Sequence, residues 1–241
     1  MKTELENKKL PIWWIFLLVP LGILLTNLFF RFFSENIENI RGNIGISQPR
    51  IFSLLIYNLA TGFAVLLYYF LLRRQGLSFK RAGYRNKLTG KGILFALAGF
   101  FVVSMILYPM VSSILGYFNI PMLWESIGTT PILQKTTQDL FLGILTAAIL
   151  APLTEDTIFR GYVYQMFSER TNPWIAIFIS ALLFAIIHIS FFGPGLTIWV
   201  FFFGLYSSYL YFKFDNIYPS LLFHFINNIW AYVIVPMIFL D

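Results

Sequence analysis

Two adjacent acids and an arginine stand inside an apolar stretch at Glu155-Asp156-Thr157-Ile158-Phe159-Arg160-Gly161. Ionisable side chains at membrane depth are costly to insert and usually mark function, so this stretch is where chemistry is first sought. Asp156 and Arg160 are four apart on one helix face, with the acid on the amino-terminal side as an ion pair prefers, so they can neutralise each other. Glu155 is turned by about 100° from Asp156 on an α-helix and needs a different partner. The two histidines of the chain also lie in apolar runs, His188 one turn after Phe184 and His224 one turn before Asn228. A carboxylate facing a neutral imidazole in a dry cavity can hold and deprotonate a water, because burial makes the carboxylate a better base. An imidazole beside an amide offers donors to a developing oxyanion. Glu155 with His188, and His224 with Asn228, therefore describe hydrolysis of an acyl bond by water without a covalent nucleophile.

Each of these residues also has a plainer role. An intramembrane acid or arginine can be a structural ion pair, and a buried histidine is more often a helix-to-helix hydrogen bond than a catalyst. The full set at these spacings is what favours catalysis. Gly193-Pro194-Gly195 and Asp215-Asn216 read as turns.

The elements that must hold these residues are membrane helices. Of 241 residues, 58% are hydrophobic and 12% charged, far more apolar than a soluble domain requires. The expected fold class is all-α, a polytopic membrane protein with about seven transmembrane helices (six to eight by the apolar runs). The spans fall at 11–30, 51–72, 92–118, 140 into the motif region, 174–192, 196–212 and 217–240. The first is too long for a signal-peptide core and lacks a small-residue cleavage site, so it reads as retained. Residues 119–138, with two prolines, read as a loop or a helix lying in the interface. Trp13 and Trp14 read as interfacial anchors. Two regions are expected: 1–137, the amino-terminal helices with a basic cytoplasmic loop at 73–91, and 138–241, the helical core that carries the chemistry.

Charge sets the expected orientation. With a cytoplasmic amino terminus and alternating spans, only Arg31, Arg41, Arg50 and Lys135 of the 17 basic residues fall outside, which satisfies the positive-inside rule and leaves the carboxyl terminus outside. The net charge of +6 thus reflects topology, not a nucleic-acid partner. The 73–91 loop reads as a topology determinant whose part Gly76–Tyr84 is amphipathic enough to lie on the membrane surface. The chain has no cysteine, which excludes disulfides, thiol nucleophiles and Cys-ligated metal.

Spacing brings the motifs towards each other. Glu169-Arg170-Thr171-Asn172-Pro173 is a turn signal, and the midpoint of Glu155 and His188 falls within it. In an antiparallel hairpin of ideal α-helices, both residues sit about 24 Å from the tip.

The residues Glu155-Asp156-Thr157-Ile158-Phe159-Arg160-Gly161, Phe184 with His188, and His224 with Asn228 resemble the EExxxR, FxxxH and HxxxN motifs of the CPBP (Abi) family. That family contains type II CAAX prenyl endopeptidases and bacteriocin-processing or self-immunity proteins. The resemblance covers about residues 138–240, in motif order and spacing. It implies an intramembrane endopeptidase with Glu155 and His188 activating water, His224 and Asn228 at the oxyanion, and Asp156, Arg160 and Phe184 in support. It implies a peptide or protein substrate, entering from the cytoplasmic side or from the bilayer, and a setting such as a bacterial plasma membrane. No cofactor is expected, because HExxH is absent and the Asn228 amide is better used as a donor; zinc through Glu155, His188 and His224 is the alternative. The chain departs from the family at Asp156, where the pattern has Glu. A contrasting reading is a catalytically silent scaffold or immunity protein that binds a peptide or protein partner. Transport is disfavoured by the lack of a repeated half with interrupted helices.

Overall fold

The computed structural model describes residues 9, 11, 12, 15–73, 78–123 and 136–239, and these contain helices and turns but no strand. The helices are α1 (Ile15–Phe32), α2 (Ile37–Asn43), α3 (Pro49–Leu72), α4 (Gly90–Tyr117), α5 (Thr137–Ser168), α6 (Pro173–Phe192), α7 (Pro194–Phe214) and α8 (Tyr218–Ile238). Five of them, α3, α4, α5, α7 and α8, are long and apolar enough to cross a membrane. Two shorter apolar segments, Pro20–Phe32 in α1 and Pro173–Ile189 in α6, complete the set expected from hydropathy. The chain is an all-α polytopic membrane protein. Trp13, Trp14, most of the expected interfacial segment (124–135) and Lys2, Lys8, Arg74 and Lys135 lie outside the described residues.

Turn chemistry sets the helix ends. Asn172 accepts from the Ile175 amide with Pro173 in the first turn of α6, and Thr89 accepts from Gly92 at the start of α4. Gly193, at φ +90°, alone separates α6 from α7, and Asp215, at φ +46°, ends α7 in a left-handed conformation. Pro152, an interior proline expected to kink or restart its helix, stands where the winding of α5 changes. α5 runs through it by changing its winding: π-helical over Ile144–Leu150, α-helical over Ala151–Asp156, π-helical again over Thr157–Tyr164. Similar wide turns occupy Phe100–Leu107 of α4 and Trp230–Ile234 of α8. The equal-height estimate for Glu155 and His188 assumed an ideal α-helical rise and does not carry over to a helix wound this way.

Contacts divide the chain into two compact units. The first comprises Met1–Ser78, Pro131–Glu155 and Asn228–Asp241. In it Ile46, Ile51 and Phe52 form a core with Phe29, Phe30 and Leu142. The fully buried Asp139 carboxylate accepts from the Ser47 amide at 2.8 Å and the Ser47 hydroxyl, fixing the entry to α3. The second unit comprises Phe79–Thr130 and Asp156–Asn227. Here α6 and α7 pack as a hairpin, close enough at Gly204 that a Cβ would stand 3.1 Å from the Ala181 Cα. Trp199 Nε1 donates to Val103 O at 2.9 Å and Ser104 donates to Asn227 Oδ1 at 2.8 Å, tying α4 to α7 and α8.

Candidate active site

The second unit gathers Asp156, Arg160, Phe184, His188 and His224. Arg160 and Asp156 are fully buried, with Nη1 of the arginine 3.0 Å from Asp156 Oδ1. A buried pair of this kind needs further hydrogen bonds to offset its desolvation, and Asp156 has them. Its Oδ1 also accepts from His224 Nδ1 at 3.1 Å, and its Oδ2 accepts from the Ser220 hydroxyl at 2.6 Å. Asp156 therefore does more than brace the arginine: it also orients a histidine.

Phe184 is where the motifs converge. The Arg160 guanidinium carbon lies 4.3 Å from its ring centroid, a desolvated cation–π contact worth about 2 kcal/mol. The His188 ring centroid is 4.5 Å away and the His224 ring meets it edge-on at 6.1 Å. His188 Nδ1 lies 2.6 Å from Phe184 O; a carbonyl only accepts, so Nδ1 carries the proton and Nε2 is the basic nitrogen of the neutral ring. The same reasoning gives His224 a protonated Nδ1 facing the Asp156 carboxylate. A neutral His224 then accepts at Nε2, and it donates there only as the imidazolium.

Glu155 and Asn228 belong to the first unit. Glu155 is buried, 8% exposed, within electrostatic reach of Tyr57 and Tyr232. The Asn228 amide donates to Ala147 O at 2.8 Å. The two neighbouring acids thus face different surroundings, as their angular offset on the helix requires. Among the described residues no group of three or more His, Asp or Glu side chains could hold a metal ion.

Several residues at the site escaped the sequence reading. Ser220 stands one turn before His224, so the same spacing that paired His224 with Asn228 also marked it. In the basic loop, residues 79–83 form a turn and 84–89 are extended or bent. Arg81 pairs with Glu169 at 2.5 Å and Arg85 with Asp215 at 2.6 Å, while Ile217 N donates to Gly83 O at 3.0 Å. Tyr84 reaches the motif helix itself, its hydroxyl 2.6 Å from Thr157 Oγ1; burial pushes that phenol up, so it stays protonated. Gly161, the last residue of the first motif, lets this strap in: a Cβ there would stand 2.9 Å from Ala82 O.

Residues 137–230 match the family model described as type II CAAX prenyl endopeptidase Rce1-like. The "Putative membrane peptidase YdiL" of Bacillus subtilis (strain 168) is 32% identical over 108 residues, 45% of this chain and 43% of that protein. The "Uncharacterized 24.3 kDa protein" of Escherichia coli is 38% identical over 66 residues, 27% of this chain and 30% of that protein. The chain thus spans less than half the length of these relatives. No solved structure matches it. The matched region holds Glu155, Asp156, Arg160, Phe184, His188, His224 and Asn228, so all seven motif residues fall where the chain is similar to the type II CAAX prenyl endopeptidase-like family.

Proposed function

We propose that this protein is an intramembrane endopeptidase that hydrolyses a peptide bond with an activated water. The observation that carries the reading is the convergence of Arg160, His188 and His224, from three separate motifs, on the single ring of Phe184. In the proposed reaction Glu155 removes a proton from water that is held by His188 Nε2. The resulting hydroxide adds to the scissile carbonyl, and the oxyanion is met by the Asn228 amide and by His224 as imidazolium. Collapse of the intermediate breaks the carbon–nitrogen bond, and the leaving amine takes the proton held by Glu155.

The substrate is a peptide or protein segment reaching the site from the cytoplasm or laterally from the bilayer. Peptide processing, or immunity to a small peptide, in a bacterial plasma membrane fits that chemistry. The positive-inside bias supports a cytoplasmic amino terminus and an external carboxyl terminus. We read the chemistry as independent of metal, because HExxH is absent and the Asn228 amide is better used as a donor. Purified protein in liposomes, given a fluorogenic peptide library, tests the reading. Cleavage that is lost in both Glu155→Ala and His188→Ala and survives chelation supports it. Equal biological activity in parent and both variants favours a silent scaffold, and stoichiometric zinc lost in His224→Ala overturns the metal-free mechanism.

A further inference from the structure

We propose that Ser220 is a positioning residue: it aims the Asp156 carboxylate and, through it, fixes His224 as the Nδ1–H tautomer. Asp156, Ser220 and Ser207 are all fully buried. Ser220 has one hydroxyl proton, and the 2.6 Å bond to Asp156 Oδ2 uses it, since a carboxylate paired with Arg160 can only accept. The 2.6 Å contact between the Ser207 and Ser220 hydroxyls must then be donated by Ser207. The direction of the relay is therefore fixed from Ser207 on α7, through Ser220 on α8, to Asp156 on α5.

An aspartate needs such a tether. Its terminal torsion is broad and roughly two-fold, so the carboxylate has no intrinsic preference for which oxygen faces which donor. Ser220 claims Oδ2, leaving Oδ1 to Arg160 at 3.0 Å and His224 at 3.1 Å. Ser220 and His224 are one turn apart on α8, so a single helix face grips both oxygens of the carboxylate. Polarisation along the hydroxyl relay strengthens the last bond beyond what an isolated serine provides. A second pair of buried serines does different work nearby: Ser208 donates to Ser180 at 3.2 Å and Ser180 to Phe159 O at 2.7 Å, holding backbone and touching no ionised group.

This inference deepens the hydrolase reading, yet its test needs no turnover, so a chain that cleaves no peptide still decides it. The chain has two histidines, so nitrogen-15 labelling of histidine in detergent-solubilised protein gives two ring systems, assigned with His188→Gln. At a fixed pH raised until both rings are neutral, His224 in the parent shows Nδ1 at the protonated position and Nε2 at the unprotonated one. In Ser220→Ala both resonances move towards their tautomer-averaged positions, while those of His188 stay in place. Ser220→Thr, which keeps a hydroxyl, restores the parental pattern, and Ser207→Ala gives a smaller shift in the same direction. A parental His224 that is not the Nδ1–H tautomer, or a Ser220→Ala spectrum in which His224 does not move or both histidines move together, overturns the proposal.

Discussion

Arg160 and Asp156 bind the motif residues together at the level of single side chains. Removing one member of a buried pair leaves the other as an uncompensated charge, a loss of about 3–5 kcal/mol. Arg160→Met should therefore unfold well below the parent in a detergent thermal melt, and an unchanged midpoint would show that Asp156 does not depend on the arginine. Asp156 makes a second prediction, because the family pattern has Glu where this chain has Asp. The carboxylate already reaches Arg160, His224 and Ser220 at bonding distances in a fully buried site. An added methylene has to displace one of these partners, so Asp156→Glu should cost about 1–3 kcal/mol by overpacking although it restores the family residue. Stabilisation by that substitution would show the site to be looser than its distances imply. The i, i+4 geometry announced the ion pair in the sequence. Ser220 was equally visible by spacing, but a lone serine in an apolar helix carries no charge to draw attention.

Helices and turns decide how these side chains are presented. Most were legible in the sequence: the apolar runs placed the helices, and Asn172-Pro173, Gly193-Pro194 and Asp215-Asn216 marked ends that the structure realises with caps and left-handed residues. The winding of α5 was not legible, because nothing in Ile144–Leu150 or Thr157–Tyr164 distinguishes a π-helical from an α-helical apolar run. The contacts of the strap at 79–89 were not legible for a related reason. Its basic residues satisfy a topology rule, and only tertiary contact reveals that Arg81 and Arg85 meet Glu169 and Asp215. Gly161→Ala tests the strap directly, since the new Cβ would stand 2.9 Å from a backbone oxygen that cannot swing away. A loss of about 1–3 kcal/mol is expected, read as a lower melting temperature. Arg85→Gln, by contrast, removes an exposed pair and should change stability by less than about 1 kcal/mol. The reverse order of effects would place the anchoring of the strap in its charges and not in its close packing.

For the whole molecule, composition alone established a membrane protein of helices, and the structure and the family match agree with that. The motif residues are divided between its two compact units, with Asp156, Arg160, Phe184, His188 and His224 in one and Glu155 and Asn228 in the other. The sequence could order the motifs along the chain; it could not reveal that a unit boundary falls between Glu155 and Asp156. In the proposed hydrolysis Glu155 supplies the base for a water that His188 holds. The most direct test of that assignment is mass-spectrometric detection of cleaved peptides after incubating a defined peptide library with proteoliposomes of the parent, Glu155→Gln and His188→Ala. The expected result is cleavage by the parent, reduced by at least about 100-fold in each variant, since general base catalysis contributes roughly two to four orders of magnitude. Cleavage by Glu155→Gln at the parental rate would contradict it.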